Sequence, residues 1–175
     1  MLDTAKTYLL GTPLDDTPIF QRARECSHAV GIAVDERWAH VGALFCDEDG
    51  EWQIIDCIGG RGGVVKYPYW RGREEWRGKI DLYAVEYPWF DLVGLHKAIG
   101  TPCNPKKLFR YRRLDHHSMP ALPDEDGTTC SEVLAMNDHC HISRFSVTPI
   151  SDIIPLHYQV WALCTGQTII HVMTK

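Results

Sequence analysis

Hydrophobic and polar positions alternate most cleanly between residues 38 and 58. Residues 38–46 read Trp-Ala-His-Val-Gly-Ala-Leu-Phe-Cys, and residues 51–58 read Glu-Trp-Gln-Ile-Ile-Asp-Cys-Ile. The acidic loop Asp47-Glu48-Asp49-Gly50 lies between them, so the pattern predicts a β-hairpin. The apolar run at 29–34 predicts a short strand before it, with a turn at 35–37. Residues 64–67 and 81–87 predict two more strands. Residues 90–99 carry Phe90, Val93, Leu95, Ala98 and Ile99 at helical spacing and stop at Gly100, which predicts a helix. Residues 68–78, with Trp70, Trp76 and several arginines, predict an irregular, aromatic-anchored loop. Residues 158–164 and 168–173 are β-rich around a Gly166-Gln167 turn and predict a closing pair of strands. Residues 1–25 are weakly patterned and read as a lead-in to a core at 26–175. The order of elements is that of an α+β chain with a mainly antiparallel sheet.

One helix start carries unusual chemistry. Thr129-Cys130-Ser131-Glu132 has the Thr-x-x-Glu spacing of a capping box, after a turn at Asp124-Glu125-Asp126-Gly127. The spacing predicts a helix running to about residue 138, with Cys130 at its first position. Unpaired backbone N–H groups and the positive end of the helix dipole favour an anion there, and a thiolate is the nucleophilic form of cysteine. A buried structural cysteine under a capped helix is the plainer reading. Further on, Thr148-Pro149 predicts a second, shorter helix start, with Thr148 as cap.

Composition narrows the class. The length of 175 residues suits one domain, and 45% apolar with 23% charged residues is an ordinary soluble mix. The net charge of −5 argues against a nucleic-acid surface. No apolar run reaches the length of a membrane span, and the first residues do not form a secretory signal. The seven cysteines, Cys26, Cys46, Cys57, Cys103, Cys130, Cys140 and Cys164, show no compact disulfide framework. Reduced thiols and a cytoplasmic setting are expected.

A cysteine nucleophile needs a base and a group that orients the base. His40 lies within the first hairpin strand, and Asp56 lies within the return strand. A turn of three or five residues centred on Glu48 puts His40 opposite Asp56. A four-residue turn puts Cys57 there and turns Asp56 away. Either remains open from sequence. Two other clusters compete. Gly59-Gly60-Arg61-Gly62-Gly63 lacks the Lys-Ser/Thr ending of a phosphate loop and reads as a turn that lets chain pass close to a site. His139-Cys140-His141 is rich in zinc ligands, and His116, His117, Cys26 and His28 could join it, but the spacing matches no recurrent zinc motif.

Trp38-Ala39-His40-Val41-Gly42, the acidic hairpin, Ile54-Ile55-Asp56, the Gly-rich segment, Cys130-Ser131-Glu132-Val133 and Thr148-Pro149 occur in that order. Together they resemble the circularly permuted NlpC-like (YiiX-like) cysteine hydrolases of the papain fold, over roughly residues 30–155. That group has a His-Val-Gly strand, an acidic strand residue, and Cys-Ser-Glu-Leu opening a helix. The third position here is Asp where the pattern more often has Glu, and the loop before Cys130 lacks its frequent aromatic residue. The resemblance implies a permuted papain-like fold, with an antiparallel sheet packed on the Cys helix. It implies Cys130 as nucleophile, His40 as base and Asp56 as orienting group. It further implies amide, peptide or ester hydrolysis through an acyl-enzyme, without a cofactor. A cell-wall peptide or a lipid ester is among the substrates it suggests. The alternatives are a non-catalytic binding or structural protein on the same fold, and a zinc-dependent hydrolase built on His139, Cys140 and His141. Trp38, Trp70, Trp76 and Trp89 read equally as groove lining or as core.

Overall fold

A computed structural model describes residues 1–12, 38, 40–58, 61–104, 127–150 and 153–174. Six strands are present among them: β1 (Tyr8–Thr12), β2 (His40–Cys46), β3 (Trp52–Ile58), β4 (Gly63–Pro68), β5 (Leu82–Glu86) and β6 (Ile169–Met173). They form one sheet in the order β4-β3-β2-β1-β5-β6, and every neighbouring pair is antiparallel. Five helices accompany it: α1 (Tyr69–Trp76), α2 (Leu92–Lys97), α3 (Cys130–Met136), α4 (His141–Ser146) and α5 (Pro155–Cys164). The protein is therefore α+β, built on a six-stranded antiparallel sheet. The expected strand at 29–34 lies outside the described residues.

The two sheet faces are covered differently. Leu9, Ala43, Ile55 and Val85 share one buried cluster with Val133, Leu134, Ile142, Tyr158 and Trp161 of α3, α4 and α5. Tyr8, Leu10, Leu44, Ile54, Tyr67, Leu82 and Ala84 form a second cluster, against which Tyr69 and Trp76 of α1 pack. Truncating a side chain such as Leu134, which is fully buried, to Ala costs about 2–5 kcal/mol in cores of this kind.

Three elements differ from the sequence expectation. β1, read as part of a lead-in, is a central strand between β2 and β5. All five of its residues are buried, so it shows a continuous apolar run instead of alternation. Residues 69–76, read as a loop, form α1. Arg71 and Glu75 pair across one helical turn, and Trp76 folds onto Tyr67 and Gly72. Residues 158–164, read as a strand, belong to α5. Pro155 stands in its first turn, and the Ile154 N–H donates to His157 Nδ1 at 2.9 Å. Short apolar runs do not separate strand from buried helix. The Thr148 hydroxyl donates to the Ser146 carbonyl at 3.0 Å, just past the end of α4, and the helix start expected there runs into residues 151–152, which lie outside the described residues.

The hairpin at 40–58 forms, but its register is neither of those weighed from sequence. Cys46 pairs with Trp52 and Ala43 with Ile55, so the turn spans residues 47–51 and centres on Asp49. Continuing that register sets Asp56 opposite Gly42. A two-residue offset preserves the side on which a strand residue points. Asp56 therefore stays on the same side as His40, as a diagonal neighbour.

Candidate active site

The capping box at the start of α3 is fully formed. The Glu132 N–H donates to Thr129 Oγ1 at 3.2 Å, and the Thr129 N–H donates to Glu132 Oε2 at 3.3 Å. The Thr128 hydroxyl also donates to that carboxylate at 3.3 Å. The Ser131 hydroxyl ties the first turn to the Ile153 carbonyl at 2.6 Å. Cys130 is thus held at the first position of a short helix anchored at several points, and it is 8% exposed.

His40, Asp56 and Tyr67 line up across three adjacent strands. Nε2 of His40 lies 2.7 Å from both Asp56 carboxylate oxygens, and Oδ2 has the hydrogen-bond alignment. Oδ1 is buried with no hydrogen bond of its own among the described residues. The Tyr67 hydroxyl donates to Oδ2 from the other side at 3.4 Å. A side chain at Gly42 would run toward the Ile55 carbonyl oxygen at 3.4 Å and Asp56 Cβ at 3.5 Å. The β2–β3 ladder ends at Ala43–Ile55, so His40 and Asp56 sit beyond its regular part. The Cys130 sulfur at the start of α3 acts electrostatically on the His40 ring.

The electrostatics follow from this chain of contacts. Burial alone would lower the His40 pKa. The Asp56 charge, the Cys130 sulfur and the hydrogen bonds to both outweigh it and hold the imidazole well above its ordinary value. Burial and the Asp56 charge push the Tyr67 phenol up, so it remains a neutral donor.

Two further thiols adjoin the site. Cys57 is buried, and its Sγ donates to the Thr128 carbonyl at 3.6 Å. Cys103 is half-buried, pairs with Thr128 in a parallel β-bridge and packs against the cluster that holds Cys57. The hydrogen bond with Cys103, followed by burial, pushes the Cys57 thiol up. Cys103 is held at about 7, first by the Cys57 hydrogen bond and also by the positive charge of His40, against the opposing effect of burial. Cys103 and Tyr67 are the residues that sequence reasoning missed. Their only signals were a cysteine in a Pro-rich loop and an aromatic at the end of a short strand.

Other candidates do not converge on this site. His139 and Cys140 adopt left-handed backbone between α3 and α4, and the His141 ring stacks on Trp89 at 3.7 Å. Among the described residues no group of three or more His, Cys, Asp or Glu side chains is arranged to hold a metal. His116, His117, Cys26 and His28 lie outside the described residues. Trp38 is core, and Trp76 packs edge-on to Tyr67. Trp70 is exposed and lines a groove of about 420 Å³ with Arg73, Arg77 and Met173, which none of Cys130, His40 and Asp56 lines. No described helix is long and apolar enough to cross a membrane. No family model matches the chain, and neither a curated protein nor a solved structure matches it.

Proposed function

We propose that the protein is a cysteine hydrolase acting on an amide, peptide or ester bond, with Cys130 as nucleophile, His40 as general base and Asp56 as the group that orients the base. The observation that carries this reading is the hydrogen-bonded series Tyr67–Asp56–His40, whose imidazole also feels the Cys130 sulfur at the start of α3. A thiol, an imidazole and a carboxylate in that order are what nucleophilic acyl transfer requires.

In this mechanism His40 holds the Cys130 proton, and the thiolate attacks the substrate carbonyl carbon. Backbone N–H groups at the start of α3, that of Cys130 included, stabilise the oxyanion. His40 then protonates the leaving amine or alcohol, which departs as the acyl-enzyme forms. Water, deprotonated by His40, releases the acid. Asp56 keeps the imidazole in one orientation and stabilises its charged form.

The fold under this reading is a permuted papain-like one. The supporting features are the base on β2, the acid on β3 and the nucleophile on a later helix, against an antiparallel sheet. The substrate class is a peptide or amide, such as a cell-wall peptide, or a lipid ester.

The test is the pH dependence of iodoacetamide alkylation, read separately at each cysteine by peptide mass spectrometry. Cys130 is expected to react already near pH 6, and His40→Ala should move its profile toward an ordinary thiol near ~8.5. If Cys130 reacts only as a free thiol would and His40→Ala changes nothing, the hydrolase reading fails. A binding role on the same scaffold would then take its place.

A further inference from the structure

Cys57 and Cys103 form a second thiol pair beside the Cys130–His40 contact, and the proposed hydrolysis does not use it. The pair is brought together by backbone, not by chance proximity of loose side chains. Residues 100–104 run between β4 and the start of α3. Gly100 N–H donates to the Val64 carbonyl and Val64 N–H to the Thr101 carbonyl, both at 2.9 Å. On the other side, Thr128 N–H donates to the Pro102 carbonyl and Asn104 N–H to the Thr128 carbonyl, also at 2.9 Å. Two glycines allow this close approach. A Cβ on Gly63 would stand 2.1 Å from the Thr101 carbonyl oxygen, and one on Gly127 would stand 2.7 Å from that of Pro102. Cys103 is thereby pinned within a doubly anchored segment beside Thr128, whose carbonyl accepts from the Cys57 thiol on β3.

We propose that Cys57 and Cys103 are an oxidative modification site, which a peroxide converts to an intramolecular disulfide. The two sulfurs differ in the way such chemistry needs. Cys103 is half-buried and faces the positive charge of His40, so it is the accessible, anionic partner. Cys57 is 4% exposed and carries its proton, so it is the resolving partner.

The chemistry balances with a hydroperoxide as oxidant. The Cys103 thiolate attacks the distal peroxide oxygen. The O–O bond breaks, an S–O bond forms, and the departing alkoxide or hydroxide takes a proton from water. The Cys57 sulfur then attacks the Cys103 sulfenic sulfur. The S–S bond forms, the S–O bond breaks, and the leaving hydroxide combines with the Cys57 proton as water. Two thiols lose two electrons in all, and the peroxide gains them. Because Cys57 also bonds the Thr128 carbonyl, the disulfide exchanges a contact beneath the α3 cap for a covalent tie to the 100–104 segment.

The experiment treats the full chain with one equivalent of hydrogen peroxide and blocks remaining thiols with N-ethylmaleimide in denaturant. Peptides are then mapped without reductant. The expected product is a Cys57–Cys103 linked peptide, reversed by dithiothreitol, whatever the oxidation state of Cys130. Cys130→Ser should keep the link, so its appearance does not depend on hydrolysis. Cys103→Ser should abolish it. The proposal is overturned if Cys57 or Cys103 crosslinks to Cys130 instead. It is equally overturned if Cys103 becomes sulfinic acid with Cys57 still free, or if links to Cys46, Cys140 or Cys164 are as abundant. The wild-type map alone decides, whether or not the variants fold.

Discussion

Asp56 stands diagonal to His40 across the β2–β3 hairpin, and His40 Nε2 still closes to 2.7 Å from its carboxylate. A diagonal pair is separated by about 7–8 Å at the backbone, a span that an imidazole and a carboxylate can bridge. Gly42 takes the place directly opposite Asp56 and brings no side chain between them.

Asp56→Asn removes the charge that holds the His40 pKa up, while burial of the ring remains. Hydrolysis should fall by on the order of 10²–10⁴-fold. Stability carries a matching signature. The raised His40 pKa contributes stability that is fully present below its unfolded value near 6.5 and is lost as pH rises through the folded value. Urea midpoints measured from pH 6 upward should show the largest gap between wild type and Asp56→Asn at the acid end, closing as His40 deprotonates. A gap that stays constant across the range would rule out the ion pair as its source.

Tyr67→Phe deletes only the hydroxyl that reaches Asp56 Oδ2, leaving the ring on Trp76 and beneath the Arg61 guanidinium. The hydrogen bond is long, so its loss should cost about 1 kcal/mol, or roughly fivefold in hydrolysis rate. The informative readout is the Cys130 alkylation profile. It should shift in the same direction as in His40→Ala but less far, with the urea midpoint little changed. A lower midpoint with an unmoved profile would make Tyr67 a packing residue only.

Local chemistry explains what was legible in the sequence. The Thr129–Glu132 capping box and the 40–58 hairpin depend on neighbours in the chain, and both form as read. The side of β3 on which Asp56 points depended on the turn, and the five-residue turn preserved it through a register not foreseen. Elements defined by burial were misread. β1 lacks alternation because it is covered on both faces, and α5 lacks a polar stripe because Pro155, Leu156, Tyr158, Gln159, Trp161 and Ala162 are all buried. The nearness of Cys103 to Cys57 was invisible, because residues 46 positions apart meet only through the 100–104 segment.

Thr129→Ala removes the acceptor for the Glu132 N–H and leaves that carboxylate with the Thr128 hydroxyl and the Thr129 N–H. The loss should be about 1 kcal/mol. Thr129→Ser should restore most of it. Because Cys130 follows the cap directly, Thr129→Ala should also slow Cys130 alkylation near neutral pH, and Thr129→Ser should not. Urea melts and peptide-resolved alkylation read the two effects separately; normal Cys130 reactivity in Thr129→Ala would show that the cap serves the helix alone.

Gly63→Ala tests whether the 100–104 segment positions Cys103. Gly63 has φ of 141°, and its added methyl would meet the Thr101 carbonyl oxygen at 2.1 Å, a backbone atom that a rotamer change does not move. Gly50 has φ of 81° with open space around it, so Gly50→Ala reports the conformational penalty without a clash. That penalty is about 1 kcal/mol. Gly63→Ala should cost more, because the Val64–Thr101 and Gly100–Val64 hydrogen bonds are strained with it. Cys103 should then lose its contact with Cys57, and its alkylation midpoint should rise from about 7 toward an ordinary thiol. Gly50→Ala should leave that midpoint in place. Equal urea midpoints for the two variants, with Cys103 unchanged in both, would mean that the anchored segment does not set the reactivity of the thiol it carries.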